Sequence, residues 1–110
     1  MAMIDLEAPA LHQQRLQQVA ALIRASGARR VLDLGCGSGG LLQYLLRDAQ
    51  FEWVVGLELS GELLAQAKLR LEALPAARAG RLELICGSYA APHPSLAGFE
   101  AAAMVETIEH

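Results

Sequence analysis

Apolar residues in this chain recur with two different periods, and the alternation of the two predicts the fold. Leu16, Val19, Ala20 and Ile23 stand at i, i+3, i+4 and i+7, one face of a helix that starts at Ala10 and that Gly27 can stop. Arg30 to Leu34, Trp53 to Leu59, Arg81 to Cys86 and Phe99 to Val105 are short, strongly apolar runs of the kind buried strands make. Between them, Leu41, Leu42, Leu45 and Leu46 form a helical stripe ending near Arg47 and Asp48. Leu63, Leu64, Ala67 and Leu71 form another, opened by Ser60 as N-cap and closed before Pro75. Ala76 to Gly80 reads as a small-residue connection and Tyr89 to Gly98 as a loop broken by Pro92 and Pro94, while Met1 to Pro9 shows no period. The expected organisation is therefore a flexible lead-in over 1–9 and one unit over 10–110. Strands alternating with helices predict a parallel sheet covered on both sides, with right-handed crossovers: a doubly wound α/β fold.

Composition narrows this only a little. The 110 residues are 54% hydrophobic, enough for a modest core but short for such a fold. Net charge is −3 with lysine and arginine scattered, so no basic tract argues for nucleic-acid binding and nothing excludes it. Cys36 and Cys86 have no CxxC partner and read as reduced thiols. With no apolar run near the ~18 residues of a membrane span and no leader pattern, a soluble cytoplasmic protein is expected.

The chemistry concentrates where the first strand meets glycines. In Asp33-x-Gly35-x-Gly37-x-Gly39, alternate glycines let the backbone turn sharply and let a ligand lie against main-chain N–H groups. Gly35, Gly37 and Gly40 also satisfy the GxGxxG dinucleotide pattern, and a plain strand-to-helix turn is a third reading. Asp33 favours one of these. A carboxylate just before the turn opposes a pyrophosphate and suits an ammonium and a sulfonium, the charges of S-adenosylmethionine. Glu58, some twenty residues on at the end of the second strand, stands where nucleotide-binding folds place an acid on ribose hydroxyls; alone it could equally be a solvated strand-end acid.

Together these residues resemble the cofactor half of the class I S-adenosylmethionine-dependent methyltransferases, whose sheet is Rossmann-like. The resemblance implies cofactor contacts at Asp33, Gly35, Cys36, Gly37, Gly39, Glu58, Leu59 and Ser88. Asp33 would hold the amino group, the turn would face the methionine part, Glu58 would bind the ribose and Ser88 would read the adenine amino group. Many relatives carry an acid at the Ser88 position.

Glu106, Glu109 and His110 stand at i, i+3 and i+4 and would share a face if the backbone turns helically. Two carboxylates and an imidazole suit Mg2+ or Mn2+; the plain alternative is a polar turn with an incidental histidine. Pro9 to Arg15, Val31 to Gly40, Gly87-Ser88 and Phe99 through Glu106-x-x-Glu109-His110 are similar to the Hen-type small-RNA 3'-terminal ribose 2'-O-methyltransferases. That similarity implies a divalent ion on Glu106, Glu109, His110 and a further downstream histidine, touching the 2' and 3' hydroxyls of an RNA 3' end. His110 would be a ligand first and a base second. A kinase-phosphatase-ligase partner in RNA repair is implied by the family alone.

The sheet order expected from the family is 3-2-1-4, truncated after the fourth strand, with the fourth ligand and the substrate surface beyond His110. On its own the fragment is expected to be inactive, to bind cofactor weakly and to retain little metal, and the apolar edge Ala101 to Val105 invites self-association. Two other functions fit the same residues: methyl transfer to a small molecule or protein, and a non-catalytic cofactor-binding or interaction module. His12 and His93 read as surface residues.

Overall fold

The computed structural model describes residues 4–87 and 98–103, with side chains from residue 11 onward. Helix α1 (Ile4–Ala25) leads to strand β1 (Arg30–Leu34), helix α2 (Gly40–Leu46), strand β2 (Trp53–Glu58) and helix α3 (Gly61–Leu71). A short helix α4 (Pro75–Arg78), strand β3 (Leu82–Cys86) and strand β4 (Ala101–Ala103) follow. The four strands are parallel in the order β3-β2-β1-β4, the order expected above for a doubly wound sheet.

Two elements depart from the sequence pattern. Helix α1 begins at Ile4, so Pro9 lies inside it and residues 4–9 are not a loose lead-in. A proline this near an N-terminus forfeits one helical hydrogen bond without ending the helix. The connection after α3 contains α4, with Pro75 at its first position, where a fixed φ and a missing N–H suit a helix start. Elsewhere boundaries agree to within a residue or two, and Ser60 caps α3 as expected, its Oγ accepting from the Leu63 amide at 3.2 Å. The outer part of the fourth strand, Met104 and Val105, lies outside the described residues. Among those described, no strand pairs with the far side of β4.

All four helices contribute to one core cluster: Leu16 and Ile23 of α1, the α2 leucines, Ala67 and Leu71 of α3, and Ala76 of α4 meet Val31 and Val54. The opposite sheet face is built on Leu32, Val55 and Leu57, with Phe99 packed against them. Its rim carries the Trp53–Phe99 ring pair, with centroids 5.8 Å apart. No helix among the described residues is long and apolar enough to cross a membrane. Cys36 is a buried free thiol and Cys86 an exposed one.

The ends of the strands opposite the glycine turn are tied by polar side chains. Arg81 donates to the carbonyls of Asp48 and Phe51, at 2.6 Å and 2.8 Å, and the Gln50 amide donates to the carbonyls of Arg24 and Ala28. Glu100 Oε1 accepts from the amides of Arg29 and Arg30 at 2.8 and 3.1 Å, joining β4's approach to β1. Those two amides, first Arg29 and then Arg30, hold the Glu100 carboxyl below its ordinary value, helped by the nearby guanidinium charges and opposed by slight desolvation. A carboxyl depressed on folding stabilises above its unfolded value and loses that contribution as pH falls through the lower folded one. Glu100→Gln is therefore expected to flatten the acid limb of a stability-against-pH curve, leaving its shape at neutral pH unchanged; equal curves would remove this role.

Gly56 sets the closeness of the helix layer to the sheet. A Cβ there would sit 2.7 Å from Leu42 Cδ1 and 2.9 Å from Cys36 Sγ, well inside contact distance. Gly56→Ala is expected to cost about 1–3 kcal/mol by overpacking. Gly61→Ala, whose Cβ would meet nothing within 4 Å, is expected to be near neutral. Urea denaturation of both variants checks the difference.

Candidate functional site

The site is built at the carboxyl ends of β1 and β2. Register places Asp33 of β1 between Gly56 of β2 and Ala103 of β4, the two smallest neighbours a buried side chain can have. Asp33 is fully buried and Glu58 nearly so, and these are the buried charged residues among those described. Burying a carboxylate costs free energy that apolar packing does not return, so two of them at adjacent strand ends mark chemistry more than stability.

The turn between β1 and α2 needs its glycines. Gly35, Gly37 and Gly39 have φ of 72°, 58° and 92°, left-handed conformations that a side chain disfavours. Gly39 is constrained twice, since a Cβ would also lie 3.1 Å from Leu71 of α3. Cys36, between two of these glycines, is fully buried, with its Sγ 3.7 Å from the Gly37 carbonyl.

Four amides of this turn are used internally. Gly35 and Cys36 both donate to the Leu57 carbonyl at 2.7 and 3.0 Å, Gly39 donates to the Cys36 carbonyl at 3.0 Å, and Gly37 donates to Glu58 Oε1 at 2.8 Å. These four amides are therefore spoken for, whereas those of Ser38 and Gly40 show no such acceptor among the described residues. Four donors of the turn that could meet a pyrophosphate already have acceptors within the protein. The dinucleotide reading loses its main support.

Glu58 uses both oxygens: Oε1 takes the Gly37 amide, and Oε2 takes the Ser60 amide at 2.9 Å. Each oxygen keeps a second lone pair, so the carboxylate can hold the turn and still accept two hydroxyl hydrogen bonds. Leu59 follows with 73% exposure, an apolar side chain standing bare beside the acid. Cys86 pairs with Glu58 in the β2–β3 register, and the Gly87 amide donates to the Glu58 carbonyl at 3.0 Å, bringing the third strand's end to the same place. Sequence reading gave Glu58 to the ribose but passed over its bonds to the Gly37 and Ser60 amides, and the Leu57 carbonyl's bonds to the turn, because backbone partners have no residue-type signature.

Ser88, Glu106, Glu109, His110 and His93 lie outside the described residues. Among those described, no three His, Cys, Asp or Glu side chains come together to hold a metal ion. His12 is half-buried and lines a cavity between helices, whereas the sequence placed it on the surface.

The fold, a parallel sheet in the order β3-β2-β1-β4 covered by helices, is that of the class I methyltransferases. A family model described as a methyltransferase domain matches residues 31–110, and the chain belongs to that family. A small RNA 2'-O-methyltransferase of Xenopus tropicalis is 32% identical over 108 residues, 93% of this chain and 29% of the relative. The chain thus spans less than a third of that relative's length. Among solved structures, the methyltransferase domain of the bacterial protein CtHen1-C is 39% identical with a TM-score of 0.78, over 84% of this chain and 48% of that one. The S-adenosylmethionine-bound amino pentose methyltransferase CalS10 from Micromonospora echinaspora is 31% identical with a TM-score of 0.65, over 83% of this chain and 35% of that one.

Glu58→Gln tests the staple without changing size. An amide offers one acceptor where two N–H donors now converge, so one of Gly37 and Ser60 must face an NH2 group. The expected cost is about 1–3 kcal/mol, with faster hydrogen exchange at the amides of Gly37 and Ser60. Unchanged exchange at both would remove the staple.

Proposed function

We propose that this chain is the cofactor-binding half of an S-adenosylmethionine-dependent methyltransferase that acts on the 2'-hydroxyl of an RNA 3'-terminal ribose. The observation that carries the cofactor is the Glu58 carboxylate, anchored by two backbone amides with a lone pair left on each oxygen, beside a glycine turn four of whose amides are already engaged. Such a site fits a ribose and a cationic amino-acid end better than a pyrophosphate. The RNA substrate is supported by the likeness to small RNA 2'-O-methyltransferases and to a bacterial Hen1 domain. Residues 10–110 form one unit in this reading, with α1 extending it to Ile4.

Asp33 would attract the ammonium group from beneath the turn, and Gly35 to Gly39 would leave room for the methionine chain. Glu58 would accept from the two ribose hydroxyls, Leu59 would lie against the base, and Ser88 would meet its amino group. Glu106, Glu109 and His110 would hold a divalent ion, with His110 also placed to take the proton of the 2'-hydroxyl. When bound, the cofactor supplies a methyl on a cationic sulfur, and the ion lowers the pKa of a hydroxyl that it touches. In the transfer a C–O bond forms to the 2' oxygen, the C–S bond breaks, and the hydroxyl proton leaves to a base. The protein's share is alignment of these two groups, where effective molarities are large. The Hen-type resemblance extends the proposal to a cytoplasmic RNA-repair setting with a kinase-phosphatase-ligase partner.

A second reading, methyl transfer to a small molecule, is favoured by the likeness to CalS10. Methyl transfer from labelled S-adenosylmethionine by the full-length protein separates the two. The expected result is label on RNA ending in a 2',3'-diol, none on RNA ending in a 2'-deoxy nucleotide, and loss on chelation that Mn2+ or Mg2+ restores. Equal labelling of both RNAs would overturn the 2' assignment, and activity that survives chelation would overturn the metal's part.

A further inference from the structure

A cavity of about 410 Å3 lies among helices α1, α2 and α3 and borders the glycine turn. His12, Gln13 and Leu16 of α1 line it together with Ser38 of the glycine turn, Gln43 of α2 and Arg70 of α3. Five of these side chains can donate hydrogen bonds, and no carboxylate lines the cavity among the described residues.

Arg70 gives the cavity its sign. Three other arginines are committed, Arg24 to Asp48 at 3.2 Å, Arg29 to Glu52 at 3.1 Å, and Arg81 to main-chain carbonyls, and none of the three lines this cavity. Arg70 is exposed and makes no ion pair with any described residue. Its planar fork of N–H groups matches two oxygens of a phosphate at once. Gln13, Gln43 and Ser38 surround it with neutral donors that suit the same group and repel none of its charge.

We infer that this cavity seats a backbone phosphate of the substrate RNA, with Arg70 as its principal contact. The inference rests on the RNA reading above. Residues of net charge −3 without a basic tract can contribute to holding a polyanion only through a few placed cations. An enzyme that modifies only a strand's last ribose also needs a grip on the rest of the strand, and phosphate contacts supply position without reading sequence. Ser38 belongs both to the cavity and to the glycine turn, so a strand held here lies beside the cofactor site.

The test is the salt dependence of RNA binding by the full-length protein, with Arg70→Ala and Arg70→Lys compared with the parent. Each phosphate contact on a single strand contributes about 0.7 to the slope of log affinity against log salt. Arg70→Ala is expected to reduce the slope by about that amount, and Arg70→Lys to keep it. Affinity for S-adenosylmethionine is read in the same variants, and a loss there would assign Arg70 to the cofactor and overturn the inference. An unchanged slope in Arg70→Ala, with the parent still methylating RNA, would overturn the phosphate seat alone. A parent that neither binds nor methylates RNA would overturn the RNA reading and this inference together.

Discussion

The 2.8 Å hydrogen bond from the Gly37 amide to Glu58 joins the two halves of the site, and most of the local architecture follows from it. A left-handed glycine turn is entropically costly, because glycine loses more freedom on folding than any other residue. Here the cost is offset by acceptors on the neighbouring strand. The Leu57 carbonyl takes two turn amides and the Glu58 side chain takes a third, all from consecutive positions at the end of β2. The β1–β2 register, Leu34 against Leu57, puts those acceptors within reach. A slip of one residue would turn the Glu58 side chain to the other face of the sheet and leave the turn unsupported.

Space is the second constraint. Asp33 is accommodated because its strand neighbours are Gly56 and Ala103, and the absent Cβ of Gly56 also admits Leu42 and Cys36 to the sheet. Glycine within a strand weakens it, but here it lets a helix and a turn approach more closely than any side chain would permit. The alanine run of β4 has the same logic where Ala103 faces Asp33.

The two ends of the sheet handle polarity differently. At the end away from the turn, Arg81, Gln50 and Glu100 satisfy loop carbonyls and amides, so their polar groups are consumed by structure. At the other end, Glu58 satisfies two amides and retains acceptor capacity, while Leu59 stands exposed beside it. Satisfied polar groups hold the first end together, and acceptor capacity in surplus makes the second a site.

The strands, the main helices, the N-cap at Ser60 and the pair Asp33 and Glu58 were legible from residue order, because period, glycine spacing and charge are properties of neighbours along the chain. The helical state of residues 4–9 and the α4 turn were not, since proline marks a boundary in one context and a first helical turn in another. Nor could residue order reveal that four of the turn's amides find acceptors within the protein. That depends on which carbonyls β2 presents, and so on pairing between segments some twenty residues apart. The cavity at Arg70 is likewise a product of packing. His12, Ser38, Gln43 and Arg70 share no pattern in sequence, and only the folding of three helices onto one sheet face brings their side chains around a common space.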